Sequence, residues 1–80
     1  MSTKNNSKAQ AIIKAAREAI EALGWVIDED FSDDGKALHL VLTKCKQRLG
    51  WGMFEPSYCW AEAYQKITGR SWIELIGGAS

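Results

Sequence analysis

An apolar stripe of helical period runs through the first part of the chain. Its members recur at intervals of three or four residues, which is the spacing of one face of an α-helix. They are Ala9, Ile12, Ile13, Ala16, Ile20 and Leu23. The pattern predicts a helix over 7–23.

Both ends of this predicted helix carry local signals. Ser7 and Gln10 have the spacing of a capping box at the first turn. Gly24 can end the helix in the left-handed conformation, which lets Trp25 fold back onto Ile20 as in a Schellman motif.

Two interpretations fit the stretch from 25 to 49. In the first, 25–33 is a loop and a second helix starts near Asp33, because acidic residues precede the apolar stripe and basic ones end it, as the helix dipole favours. This stripe contains Leu38, Val41, Leu42, Cys45 and Leu49, and Gly50 would end the helix. We favour this helix because one spacing rule accounts for most of its residues.

The alternative is a β-hairpin formed by 25–31 and 36–43. Asp33-Asp34-Gly35 would be its turn, because such clusters interrupt regular structure. Leu38, Leu40 and Leu42 would then lie on one face of a strand.

The second half of the chain predicts a helix over 56–68, with Pro56 in its first turn and Gly69 at its end. Trp60, Ala63, Tyr64 and Ile67 share one face of it. Ser71 and Glu74 fit a second capping box, so 71–76 is expected to be a short fourth helix.

The predicted fold is therefore mostly α: a small bundle of three to four helices, with a short β-hairpin or strand pair at 25–43 as the alternative. Eighty residues predict a single domain over 1–80, with 1–6 and 77–80 frayed.

The charges balance, with ten basic and ten acidic residues. This balance disfavours nonspecific nucleic-acid binding, which needs an excess of cations facing the phosphates. The two signs are nevertheless separated along the chain, because 18–34 holds seven acids and no base, whereas 36–48 holds four bases and no acid. We expect an acidic end and a basic end.

The first residues lack the apolar core of a signal peptide. No apolar run approaches the roughly 20 residues that span a bilayer. We expect a cytoplasmic protein in which Cys45 and Cys59 are both reduced.

Metal and cofactor sites are not expected. A zinc site needs about four nitrogen or sulfur ligands, and the candidates are His39, Cys45 and Cys59. Asp30-x-Ser32-x-Asp34-Gly35 begins like a calcium loop, but Val41 stands where that loop needs a bidentate Glu. We interpret this segment as a solvated acidic turn.

Catalysis is not expected either. Cys59-Trp60 at a predicted helix start resembles the nucleophile of papain-like cysteine proteases, whose catalytic His follows the Cys. The histidine of this chain, His39, precedes it by twenty residues. We therefore predict a structural role for Cys59 and a non-enzymatic protein.

Aromatic residues are concentrated in 51–60. They indicate a surface that binds a partner protein, because such residues are enriched at the centres of interfaces. The predicted contacts are Trp51, Met53, Phe54, Tyr58 and Trp60, with Asp28, Glu29 and Asp30 as an acidic contribution. Trp51 is expected to face the partner more than Trp25 does. The first hypothesis is a protein-interaction module that binds a protein partner or a second copy. An inhibitor or adaptor of the kind encoded by phages or mobile elements is one version of it.

The second hypothesis is a small DNA-binding or regulatory protein. Residues 61–76 would form a helix-turn-helix with Gly69 in the turn. The predicted nucleic-acid contacts are Lys44, Lys46, Arg48 and Arg70.

Overall fold

The computed structural model of the chain describes residues 3–76. These residues form two α-helices, three strands and one 3₁₀ helix. Their bounds are Thr3–Ala22 for α1, Val26–Phe31 for β1, Leu38–Lys44 for β2, Gln47–Phe54 for β3, Pro56–Thr68 for α2 and Trp72–Ile76 for the 3₁₀ helix. The fold is mixed α/β, so the predicted bundle of three to four helices is wrong.

The strands form an antiparallel sheet in the order β1-β2-β3. In the central strand, Leu42 pairs with Ile27 on one side and Leu49 on the other. Leu38, Leu40 and Leu42 are fully buried. Residues between them, such as His39, face away from the core, as the two-residue period of a strand requires. Both helices pack on the leucine face, and we call the opposite face, on which His39 is exposed, the open face.

The core lies between this sheet and the two helices. Each element contributes the residues that its own period places on one side: 3.6 residues for a helix and two for a strand. The buried cluster consists of Ala16 and Ile20 from α1, the three leucines of β2, and Cys59, Trp60, Ala63 and Tyr64 from α2.

Leu40 explains why 33–49 does not form the favoured helix. In a helix it would lie off the stripe that contains Leu38, Val41 and Leu42, whereas in β2 it is fully buried between its neighbours on the sheet. The alternative hairpin was correct, because β1 and β2 pair across the turn at Asp33 and Asp34.

The turn between β2 and β3 lacks the residues that usually indicate a hairpin in a sequence. Lys44 pairs with Gln47, so Cys45 and Lys46 alone form the turn. Cys45 has a φ of 55°, a conformation that hairpin turns usually assign to Gly, Asn or Asp. Gly50, predicted to end a helix, instead lies within β3 opposite Val41.

The β1–β2 loop satisfies its own polar groups. The Ser32 hydroxyl donates to Asp34 Oδ1 at 2.6 Å, and the Lys36 amide donates to the same oxygen at 3.0 Å. These two hydrogen bonds, the hydroxyl first, hold the pKa of Asp34 below its usual value. The acidic turn therefore closes a hairpin and does not cap a helix. In the part of the chain that the structure describes, no group of three or more His, Cys, Asp or Glu side chains is arranged to hold a metal ion.

The glycine predictions at the helix ends are confirmed for Gly24 and Gly69. The Trp25 amide donates to the Ile20 carbonyl at 3.3 Å and the Gly24 amide to that of Glu21 at 2.9 Å, which is the Schellman pattern. Gly69 ends α2 with a φ of 75°.

The start of α1 and the end of the chain need correction. Because α1 begins at Thr3, the helix starts earlier than predicted, and Ser7 lies inside it and is not its cap. The predicted frayed positions 1–2 and 77–80 lie outside the described residues. Residues 72–76 form a 3₁₀ helix of five residues, too short for the recognition helix of the predicted helix-turn-helix.

Candidate functional site

Four large apolar side chains remain about half exposed at one end of the sheet. The exposed fractions are 50% for Phe31, 55% for Met53, 49% for Phe54 and 48% for Tyr58. We call these residues the aromatic cluster. Single exposed apolar residues are common on protein surfaces, whereas several large ones at one end of a sheet indicate a contact region.

The sheet register places the two phenylalanines of the cluster. Phe31 at the end of β1 and Phe54 at the end of β3 both pair with Leu38. Leu38 itself is fully buried. The cluster therefore borders the core where the sheet ends, and it is held by the same strand pairing that builds the core.

Met53 near the end of β3 and Tyr58 near the start of α2 complete the cluster. The register between β2 and β3 shifts between Leu38 and Leu40, and Met53 has a φ of 59°, so β3 contains a β-bulge near its end that redirects side chains. Tyr58, in the first turn of α2, packs against Phe54 in a tilted arrangement, with ring centroids 5.3 Å apart and an angle of 56° between the ring planes.

A shallow groove of about 280 Å³ continues from the cluster along α2. Tyr58 forms one wall of it, and the side chains of Ile12, Ala61 and Trp72 give it an apolar floor. Glu55 and Glu62 also line it. The cluster and this groove together offer an apolar surface with a carboxylate border, which suits contact with another macromolecule.

The sequence predicted part of this cluster and missed the rest of it. Met53, Phe54 and Tyr58 were among the predicted contacts and lie together. Phe31 was not, because 25–33 was interpreted as a loop. Its signal is the alternation of Ile27, Glu29 and Phe31 on the core side of β1.

Trp60 is not accessible as predicted, and Trp51 and Trp25 are similarly placed. Trp60 is fully buried between the helices and the sheet, so it is inaccessible to a partner while the protein is folded. Trp51 is half-buried and packs against the core, as Trp25 does. Burial therefore does not separate the two tryptophans, and the greater tendency of Trp51 to face a partner stays a prediction.

Glu29 is engaged within the chain. Its Oε2 atom accepts hydrogen bonds from Arg17 Nη2 and, at 3.3 Å, from Trp60 Nε1. The Arg17 guanidinium also lies 5.4 Å from the centre of the Trp60 ring, within the range of a cation–π interaction. This triad joins α1, β1 and α2. Glu29 thus links three elements, while Asp28 and Asp30 stay exposed on the open face of the sheet.

The predicted nucleic-acid contacts are only partly grouped. Lys44, Lys46 and Arg48 surround the β2–β3 turn, with Lys44 half-buried. Arg70 lies beyond α2, where its Nη1 atom is 3.9 Å from the Glu74 carboxylate. The basic end expected from the sequence is thus a hairpin turn.

The Cys59 thiol has the environment of a core residue. Its Sγ atom lies 3.4 Å from the Leu38 carbonyl oxygen and 3.7 Å from that of Phe54, and donates toward them. Burial raises the pKa of this thiol. An activated nucleophile needs a lowered pKa and access to substrate, so the geometry at Cys59 is the opposite of that of a cysteine protease.

We expect iodoacetamide to modify Cys45 and spare Cys59 in the native protein at pH 7.5. Cys45 is exposed and Cys59 is buried, and reaction at Cys59 requires an opening of the core. Mass spectrometry of peptides should show one label per chain without denaturant and two in 6 M guanidinium chloride. Native labelling of Cys59 at the rate of Cys45 would contradict the buried placement.

Comparisons with protein-family models, curated proteins and solved structures found no match to this chain. Within residues 3–76, neither α-helix combines the length and the apolar character needed to cross a membrane. The functional argument therefore rests on the surface itself.

Proposed function

We propose that this protein is an interaction module that binds another protein through the aromatic cluster and acts as an inhibitor or adaptor. The observation that carries the proposal is the half-exposure of Phe31, Met53, Phe54 and Tyr58 at one end of the sheet. The core buries a side chain as large as that of Trp60, whereas these four remain about half exposed.

The chemistry of the cluster supports a protein partner. Phe, Tyr and Met are enriched at interface centres, and a few such anchors carry most of the binding energy. The packed pair of Phe54 and Tyr58 is held by a strand end and a helix start, so little side-chain freedom remains to be lost on binding.

The cysteines support action in a reducing compartment such as the cytoplasm. Both thiols are free, and the exposed Cys45 sits in a turn with no bonded partner. Exposed free thiols are typical of proteins that stay where disulfides are kept reduced.

The test compares capture of partners by matched variants. Phe54→Ser and Tyr58→Ser remove cluster side chains, whereas Val26→Ser removes an apolar side chain that is 67% exposed on β1, away from the cluster. Each tagged protein is incubated with lysate from its source cells, and bound proteins are quantified by mass spectrometry.

We expect the wild type and Val26→Ser to retain the same partner protein. Its recovery should fall at least about tenfold with Phe54→Ser or Tyr58→Ser, a loss typical of a strong hot spot. Thermal melts verify that all variants are folded. Equal recovery by all four proteins would refute the proposal, as would the absence of any specifically retained protein.

A further inference from the structure

Within residues 3–76, the outer edge of β3 pairs with no other strand. The order β1-β2-β3 leaves β1 and β3 as edge strands. Among residues 3–76, the backbone hydrogen bonds outside helices and strands do not involve residues 47–54. Unpaired edges invite pairing with another chain, and natural proteins usually protect them with charged side chains. The β1 edge carries three acidic residues in Asp28-Glu29-Asp30, whereas Arg48 is the only charged residue within 48–52 of β3.

Two glycines lie in this edge strand: Gly52 belongs to the bulge between Trp51 and Phe54, whereas nothing among the described residues requires a glycine at position 50. Gly50 and Gly52 have no positive φ. A Cβ atom on Gly50 would lie 3.9 Å from the Leu40 carbonyl oxygen, and one on Gly52 would lie 3.7 Å from His39 Cδ2, both ordinary contact distances. Glycine weakens a strand and often marks the close approach of another backbone or side chain.

We propose that β3 pairs antiparallel with β3 of a second copy of this chain over residues 48–52, so that two sheets join into one of six strands. Pairing about a two-fold axis at Gly50 keeps each side chain on its own face. It sets Gly50 opposite Gly50, Leu49 opposite Trp51 of the other copy, and Arg48 opposite its Gly52.

This register is self-complementary on both faces of the sheet. On the helix side, the half-buried Leu49 and Trp51 form two apolar cross-strand pairs. On the open side, the aliphatic stem of Arg48 covers the bare backbone of Gly52, and the two Arg48 side chains do not face each other.

The charges also favour a second copy as the partner. Antiparallel pairing brings the basic turn of one copy, with Lys46, alongside Glu55 at the far end of the other copy's β3. The net charge is zero, so two copies do not repel each other at long range. The two-fold axis repeats this contact, so Lys46 of each copy lies alongside Glu55 of the other.

Gly50→Lys tests this interface with little effect on the single chain. It places two lysines opposite each other across the axis, and like charges in that position destabilise strand pairing. Val26→Lys is the matched control, because it adds the same charge on the open face of β1, where the exposed fraction is 67%.

Sedimentation velocity between 1 µM and 1 mM should show a monomer–dimer equilibrium for the wild type and for Val26→Lys. Gly50→Lys should weaken association by about fivefold or more with an unchanged melting temperature. In the wild type, hydrogen exchange of amides in 48–52 should slow as concentration rises. The proposal is overturned if the wild type stays monomeric throughout, if Gly50→Lys dimerises as strongly as the wild type, or if exchange in 48–52 does not depend on concentration.

Discussion

Replacing Trp60 with Ala is expected to remove a large part of the protein's stability at 25 °C. The side chain is fully buried in the core, and truncating a buried Trp to Ala typically costs about 3–5 kcal/mol. A domain of 80 residues has a total free energy of unfolding of only about 4–12 kcal/mol, at roughly 0.05–0.15 kcal/mol per residue. Urea titration followed by far-ultraviolet circular dichroism measures the loss.

Trp51→Ala is the matched control, because Trp51 is half-buried and has less contact to lose. We expect its loss to be smaller by about half. If Trp60→Ala instead kept the wild-type urea midpoint and lost only partner binding, Trp60 would be a contact residue, as the sequence first suggested, and its place in the core would be wrong.

The helices could be predicted because their signals are local. Pro56, the stripe from Trp60 to Ile67 and Gly69 fix the bounds of α2 within the segment itself. The Gly24 cap likewise depends on a few neighbouring residues. Such signals remain readable in a single sequence because the interactions they describe span only one or two turns.

The sheet could not be predicted with the same success. Strand pairing joins residues that are far apart in the sequence, and the β2–β3 turn lacks the Gly, Asn or Asp that usually indicates a hairpin. Leu38, Leu40 and Leu42 show a period of two, but Val41, Cys45 and Leu49 add an equally good helical period. A Gly or Asn at position 45 would have favoured a hairpin, and Cys45 adopts the turn conformation without being either. Tertiary pairing with β1 and β3 decided between the two periods.

The sequence could predict which residues surround the candidate site, but not which of their side chains are exposed. Met53, Phe54 and Tyr58 were found because aromatic residues concentrate there. Trp60 belongs both to that aromatic segment and to the apolar stripe of α2. The structure shows that Trp60 is buried with the rest of the stripe. The exposed cluster residues differ from the buried Trp60 because of the β-bulge at Met53 and the packing of Tyr58 on Phe54. Both features involve contacts between elements, which a local sequence pattern does not show.

The Arg17–Glu29–Trp60 triad should stabilise the protein, and Glu29→Met should show by how much. This change leaves the Trp60 Nε1 donor without its acceptor and removes the ion-pair partner of Arg17. Arg17 Nε is already buried without a hydrogen-bond partner, so the guanidinium depends strongly on Glu29. Removing one partner of such an interaction lowers the free energy of unfolding by more than the interaction itself contributes. The reason is that the polar groups of the remaining partners stay buried without a hydrogen bond.

We expect Glu29→Met to lower the free energy of unfolding by about 1–2 kcal/mol. This is less than for a fully buried pair, because 39% of the Arg17 side chain and 20% of the Glu29 side chain remain exposed and solvent screens their attraction. Arg70→Ala, which removes the more exposed pair with Glu74, should change stability by no more than a few tenths of a kcal/mol.

A double-mutant cycle separates the interaction from the burial of either residue. Arg17→Met, Glu29→Met and the double variant are compared by urea unfolding at low and high salt. The double variant should be more stable than the sum of the single changes implies, because it contains no unpaired guanidinium and fills the space with apolar atoms. Additive losses would mean that the two side chains stabilise the fold independently. The contact between α1 and β1 would then depend on packing around Trp60 and not on the ion pair.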